Sequence, residues 1–277
     1  MDHPSPVSQV PLFDAYAPAE VAVRVRDIGV AKARAPLSTL LALALLAGAF
    51  ISLGALFYAV TMTNAPGGPV SFGLSRLAGG MAFSLGLVLV VVGGAELFTG
   101  NNLLAMAWAA KRVTTGQVIR NWWWVYLGNL AGSLGTALLV LVAGVHTLGD
   151  GSVGETMVRI ARAKVSLDPL AAIARGILGN VLVCLAVWLC MAARSVADKI
   201  VAILLPISGF VACGFEHSVA NMFLLPMGMV LAASSGAPIG FGPVFHNLLY
   251  VTVGNLVGGT VLVALVYWFV YLRGSRT

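Results

Sequence analysis

The side chains best suited to chemistry are His217 and its neighbour Glu216, set in the otherwise small and apolar stretch Gly214-Phe215-Glu216-His217-Ser218-Val219-Ala220-Asn221. A second stretch, Gly93-Gly94-Ala95-Glu96-Leu97-Phe98-Thr99-Gly100-Asn101-Asn102, repeats the spacing. Gly94-x-Glu96-x-x-x-x-Asn101 parallels Gly214-x-Glu216-x-x-x-x-Asn221. Histidine is the side chain that most readily gains and loses a proton near neutral pH. In apolar surroundings it can pass a proton or, once charged, attract an anion. Nothing in the pattern suggests a metalloenzyme or a nucleophilic enzyme. Glu216-His217 is no His-Glu-x-x-His zinc helix, no Gly-x-Ser-x-Gly elbow occurs, and no cysteine stands beside a histidine. Cys184, Cys190 and Cys213 lie in apolar runs without metal spacing and read as small core residues. The expectation is neither an enzyme nor a metal or cofactor site.

The surroundings of these residues are those of a membrane protein. Of 277 residues, 59% are hydrophobic and 9% are charged, where a soluble domain carries roughly 25% charged. That excludes a cytosolic enzyme, a disordered chain and a secreted disulfide scaffold. The apolar runs are long and continuous, so the chain reads as a bundle of membrane helices and not as a barrel of alternating strands. The net charge of +6 comes from basic residues scattered at the ends of apolar runs, which is no nucleic-acid signature. Residues 1–35 lack a basic start followed by an apolar stretch, so the N-terminus is expected to stay on the cytoplasmic side.

Six spans follow from windows of about 20 apolar residues. The first runs from Leu37 to Ala59, the third from Trp122 to Gly144, the fourth from Leu170 to Ala193 and the sixth from Leu248 to Leu272. The second region, Leu74 to Ala110, and the fifth, Ile200 to Ala233, are interrupted by the two motif stretches. Each is too long for one span, and its pieces look too short to cross alone, which predicts two half-helices joined by an irregular stretch at membrane depth. With the N-terminus inside, the inner segments hold Arg24, Arg26, Lys32, Arg34, Lys111, Arg112, Arg120, Arg194, Lys199, Arg273 and Arg276. The outer segments and the span they lead into hold only Arg76, Arg159, Arg162, Lys164 and Arg175. That asymmetry places both termini in the cytoplasm. Residues 145–168 read as a long outer loop, Trp122-Trp123-Trp124 as an interfacial anchor, and His146 and His246 as solvated positions near the outer edge.

The motif pair belongs to an internal repeat. Val125-Tyr126-Leu127-Gly128-Asn129-Leu130-Ala131-Gly132 parallels Val251-Thr252-Val253-Gly254-Asn255-Leu256-Val257-Gly258, and Pro36-Leu37 before the first span parallels Pro169-Leu170 before the fourth. Three spans per copy make the second copy enter from the opposite side, so the repeat is inverted and its broken helices meet near the midplane. The glycines of the paired Gly-Asn-Leu-x-Gly runs allow close helix approach, and their asparagines can tie down carbonyls freed by the breaks. Domain bounds follow: a cytoplasmic segment 1–36, a six-helix domain 37–272 with repeats 37–144 and 169–272, and a tail 273–277.

Gly94 to Asn101, Asn180-Val181-Leu182-Val183-Cys184-Leu185-Ala186 and Gly214 to Met222 resemble the signatures of the formate/nitrite transporter family. The resemblance runs over the chain beyond its first 20 or so residues. It implies an aquaporin-like fold of six helices with helices 2 and 5 broken, and a homopentamer with one pore per protomer in the bacterial inner membrane. It also implies passage of small monovalent anions such as formate, nitrite or hydrosulfide. Phe83-Ser84-Leu85-Gly86-Leu87 and Ala193-Arg194-Ser195-Val196-Ala197-Asp198-Lys199 are similar to the formate branch, which puts formate first; Gly100 is similar to the nitrite branch. An aquaporin proper would carry Asn-Pro-Ala at both breaks, and neither has it.

The resemblance places the pore histidine at His217, with Thr99 opposite it, Asn180 lining the pore and Lys164 in the outer vestibule. It also places an outer constriction at Phe83, Leu87 and Phe210, and an inner one at Leu97, Phe98 and Val183. Glu96 and Glu216 would repel an anion if they lay in its path. They are assigned structural roles with Asn101 and Asn221, accepting from backbone N–H groups freed by the breaks or from another protomer. A bare anion crossing two apolar rings loses its hydration, whereas a neutral acid does not. The expected route has Lys164 and the helix N-termini at the breaks attracting the anion, and a proton reaching it through His217 while Thr99 orients it. The competing version keeps the substrate anionic beside a fixed imidazolium. Val21, Val25, Ile28 and Lys32 suggest a short amphipathic helix on the inner surface, either an anchor or a gate, and His3 is the only histidine near it.

Overall fold

A computed structural model describes residues 14–64, 70–233 and 236–274; His3 and the last three residues of the expected tail lie outside them. The described residues are helical throughout, with no strand among them. In chain order the elements are α1 (Pro18–Arg34), α2 (Leu37–Thr61), α3 (Phe72–Gly93), a 3-10 turn (Gly100–Leu104), α4 (Ala105–Ala109), α5 (Thr115–Val142), a second 3-10 turn (Val145–Thr147) and α6 (Ser152–Val165). Then come α7 (Pro169–Ala192), α8 (Val196–Ala212), α9 (Ser218–Ala232), α10 (Phe241–Leu256), a π-helical stretch (Val257–Leu265) and α11 (Val266–Tyr271). Among the described residues, five helices are long and apolar enough to cross a membrane: α2, α3, α5, α7 and the continuous run Phe241–Tyr271.

The breaks fall at the motif stretches. α3 ends at Gly94 (φ +81°) and α8 gives way at Gly214 (φ +72°), each glycine taking the left-handed conformation that stops a helix cheaply. One expectation is corrected here. The first half of the second region is 22 residues of unbroken helix, Phe72–Gly93, and is long enough to cross by itself. Ser71 caps it three residues ahead of the expected start by accepting from the Leu74 N–H. In the fifth region the two pieces are short as expected, 17 and 15 residues.

Capping chemistry also shifts other boundaries. α5 begins at Thr115 and not at Trp122, because Thr114 and Gln117 form a reciprocal capping box. The last crossing begins at Phe241, seven residues before the expected start at Leu248. Residues 145–168 are not a plain loop: most of them form α6, an amphipathic helix whose Val153, Met157 and Ala161 are buried against the bundle. α1 has the same character. It buries Val21, Ala22, Val25, Gly29 and Ala33 and, after Pro36, leads into α2 as α6 leads through Pro169 into α7. Each copy is thus an amphipathic helix followed by three apolar elements, one member longer than the sequence match suggests.

α2 packs on α5, and α7 on α10 and the π stretch. These contacts are as close as backbone allows: a methyl group on Gly132 would lie 2.0 Å from the Leu45 carbonyl oxygen, and one on Gly258 would lie 2.2 Å from that of Ile177. The two copies touch at equivalent residues, where the Tyr126 hydroxyl and Thr252 Oγ1 stand 3.1 Å apart.

Candidate functional site

The breaks are built from one hydrogen-bonded plan used twice. In the first copy, Asn129 donates to the carbonyls of Ala44 (2.7 Å) and Glu96 (2.9 Å) and accepts from the Phe98 N–H (2.9 Å). In the second, Asn255 donates to the carbonyls of Gly176 (2.8 Å) and Glu216 (3.0 Å) and accepts from the Ser218 N–H (2.8 Å). Each asparagine is fully buried and meets the backbone groups that the interruption frees. The role anticipated for them is the one they occupy.

The two glutamates are held differently from the expectation. Neither is shown accepting a backbone N–H; each takes its neighbours from side chains of the same chain. Asn101 Nδ2 donates to Glu96 (2.6 Å) and Asn221 Nδ2 to Glu216 (2.7 Å). A lysine neutralises each one, Lys32 at 3.1 Å from Glu96 and Lys164 at 2.8 Å from Glu216. Asn121 and Asn247 complete the sets, accepting from Asn101 and Asn221 and donating to the carbonyls of Lys32 and Lys164. A charge at membrane depth needs such compensation. Lys32, Asn121 and Asn247 were not singled out as site residues. For Lys32, the available signal is a lysine four residues before Pro36, matching Lys164 five residues before Pro169.

These clusters form walls of two cavities at opposite ends of α2. One, of about 460 Å³, is lined by Lys164, Glu216, His217, Phe83 and Phe210, with Tyr58 of α2. The other, of about 310 Å³, is lined by Lys32, Glu96, Asn101, Leu97 and Leu87, with Leu43 of α2. Phe83 and Phe210 narrow the first together, their ring centroids 5.9 Å apart. Leu87, which the resemblance places in the same constriction, lies one helical turn further along α3 and lines the second cavity. Phe98 and Val183 are buried and line neither of these cavities; Phe98 packs edge-on against Tyr126 at 5.0 Å.

His217 in the wall of the first cavity meets Thr99, which lines neither cavity, with Thr99 Oγ1 2.8 Å from His217 Nε2. Both are buried, and each comes from a different break. His217 is also the N-cap of α9, its Nδ1 accepting from the Ala220 N–H at 3.1 Å. An acceptor at Nδ1 puts the ring proton on Nε2, so the ring donates to the threonine oxygen and the threonine hydrogen is left to point elsewhere. At the N-terminus of the second break the Ser218 and Ala220 N–H groups are already bonded, to Asn255 Oδ1 and His217 Nδ1. Asn180 sits beside the pair; the two hydrogens of its Nδ2 face the Asn255 carbonyl (2.7 Å) and Asn102 Oδ1 (3.1 Å), with the Thr99 carbonyl (3.3 Å) as a shared third acceptor. It fixes the break that carries Thr99.

The repeat is unlike at this point. The positions equivalent to His217 and Thr99 are Leu97 and Val219, both apolar. The cavities differ in charge as well. Arg76, Arg159 and Arg175 line the Lys164 cavity, and no arginine lines the Lys32 cavity. Arg76 donates to the Ala212 and Val211 carbonyls at the end of α8, whereas Arg159 and Arg175 are exposed to the cavity mouth. Arg159→Gln with Arg175→Gln is expected to slow anion entry from that side about tenfold at low salt and little at 0.15 M, since exposed charges are screened there. Initial rates in sidedness-controlled proteoliposomes check this.

A cavity at each of two helix breaks, with a buried polar pair tying the breaks together inside an apolar repeat, is the architecture of a membrane transport protein. The family model described as formate/nitrite transporter matches residues 19–269. The formate channel FocA of Escherichia coli strain K12 is 43% identical over 277 residues, covering 94% of this chain and 96% of its own. A solved structure of a pentameric formate channel with formate bound is similar with a TM-score of 0.78 at 38% identity, covering 86% of this chain and 98% of that one. A second, an FNT family ion channel, has a TM-score of 0.80 at 31% identity, covering 91% and 98%. The chain belongs to the formate/nitrite transporter family, and is a transport protein and not an enzyme.

Proposed function

We propose that the protein is a bidirectional channel or carrier for small monovalent anions of weak acids, formate first among them, with the substrate protonated at His217. The observation that carries this reading is the buried Thr99–His217 hydrogen bond that joins the two breaks at the wall of the Lys164 cavity. Formate comes first because the relatives at 43% and 38% identity are named for it. Gly100, the residue similar to the nitrite branch, has room for a side chain, the nearest atom being Val187 Cγ2 at 3.8 Å. Its being glycine is no packing requirement, so it does not weigh against formate.

The proposed route begins at the exposed arginines and at Lys164 and ends at the threonine. Both lysines are neutralised by glutamate, so they offer N–H donors without a large trapping charge. The Phe83–Phe210 pair then strips water from the anion, and dehydration raises its affinity for a proton. The free Thr99 hydrogen aims at a carboxylate oxygen. A proton taken up from water of the Lys164 cavity at Nδ1 when the Ala220 cap opens balances the Nε2 proton passed through the threonine hydroxyl to the anion, and the neutral acid moves on; the ring then loses the Nδ1 proton and regains one at Nε2, which restores the cap. The cap favours this version over a fixed imidazolium, because a permanently protonated Nδ1 would face the Ala220 N–H with no acceptor between them.

The proposal includes a homopentamer with one pore per protomer in a bacterial inner membrane, with both termini cytoplasmic. Support comes from the pentameric relative and the lysine and arginine distribution. Flux of formate, nitrite and hydrosulfide into proteoliposomes, with and without a pH gradient, tests the reading. Formate uptake accelerated by an inward proton gradient is expected; faster flux of nitrite or hydrosulfide reassigns the substrate, and indifference to the gradient removes the proton step.

A further inference from the structure

The second copy of the repeat departs from the first at one packing contact beside the Thr99–His217 pair, and both sides of that contact change size together. Asn180 corresponds to Gly48, since the carbonyls of Gly176 and Ala44, each four residues earlier, take the equivalent bonds of Asn255 and Asn129. Four residues beyond those asparagines stand Gly259 and Ser133. In the first copy the small residue is Gly48 on the early helix, and Ser133 on the late one donates to its carbonyl. In the second copy the large residue is Asn180 on the early helix and the late one has Gly259. A methyl group on Gly259 would lie 2.4 Å from Asn180 Nδ2, 2.8 Å from Asn102 Cβ and 2.9 Å from Cys184 Sγ. Those three side chains surround the Thr99 carbonyl or its anchors: Asn180 and Cys184 donate to that carbonyl, and Asn102 accepts from Asn180.

The backbone differs at the same place. Residues 131–139 of the first copy lie inside the regular helix α5, whereas their equivalents Val257–Leu265 are π-helical. A π turn is wider than an α turn and is uncommon outside functional sites. From the size exchange and the π stretch together, we infer that Gly259 is a positioning residue for transport: it is the seat that admits the Asn180 amide, and through Asn180 it sets the Thr99 backbone so that the hydroxyl meets His217. This rests on the reading of Thr99 and His217 as the transport site.

The test compares three full-length variants in proteoliposomes with the parent, reading pentamer integrity, initial formate flux and its pH dependence. Gly259→Ala displaces the amide; flux is expected to fall on the order of 10²-fold, as a misplacement of about 1 Å can cause, with a flattened pH dependence. Gly259→Ser combined with Asn180→Gly transplants the first-copy contact. It is expected to restore assembly if Gly259→Ala impairs it, yet to leave flux low, because no amide holds Thr99. Native flux and pH dependence in Gly259→Ala, or flux restored in the double variant, overturns the inference. His217→Asn is the third arm. If it alters the pH dependence while Gly259→Ala does not, the seat fails and the transport reading stands; if neither variant alters it, both fail.

Discussion

In His217→Asn, proton-coupled formate uptake is expected to fall on the order of 10²-fold, the scale of a lost general acid, while uncoupled anion leak persists or grows. Asparagine is chosen because it retains the structural half of the histidine's work. His217 caps α9 through the Ala220 N–H, and asparagine is among the best N-cap residues, with a side-chain oxygen suited to the same bond. The variant therefore keeps the helix start and a polar group near Thr99, and removes only the ring that can take a proton on one nitrogen and release one from the other. Parallel measurement of gradient-driven uptake and of current carried by the anion separates the two. Equal loss of both, or no change in either, counts against protonation at this residue.

Asn255→Ala is expected to be the most damaging single substitution for assembly. Its side chain satisfies the Gly176 and Glu216 carbonyls and the Ser218 N–H, all inside the bundle. Alanine strands all three without room or polarity to replace them. At about 1–3 kcal/mol for each buried group left unpaired, the loss is on the order of 3 kcal/mol or more. Asn255→Asp, which keeps the acceptor but sets a second oxygen against two carbonyls and buries an uncompensated charge, should be at least as damaging as alanine. Thermal stability of the purified protein in detergent would rank the three; a native melting temperature for the alanine variant would refute the account of how the break is stabilised.

The asparagines were legible because their chemistry is local: a buried amide beside an interrupted helix has few other uses, and the Gly-Asn-Leu-x-Gly run appears twice. The breaks were legible for the same reason, polar residues and glycines standing inside apolar runs. The lysine partners of the glutamates were not fully legible. Lys164 entered through family resemblance, and Lys32 was read only as part of an amphipathic face, because the contact joining it to Glu96 spans 64 residues and depends on how α1 returns beneath the first break. α6 was missed as a helix because its charges resemble a loop when counted by sign; its apolar stripe shows at helical spacing. Similarity gives order along α3 but not depth: Phe83 lines the first cavity and Leu87, one turn on, the second. The cap that His217 makes on its own helix could not be inferred from residue types alone, since it depends on the ring's rotation.

The unlike point in the repeat, His217 and Thr99 in place of a second Leu97 and Val219, bears on energy as well as on recognition. If His217 is the single exchange point, as proposed above, one proton travels with one monovalent anion and the transported unit carries no net charge. The electrical potential across the membrane, worth about 2.3 kcal/mol per elementary charge at 100 mV, then does no work on it. Direction follows the product of the anion and proton concentrations on the two sides. The same protein would export acid when it accumulates inside and import it when the outside turns acidic, without any change of structure to reverse it.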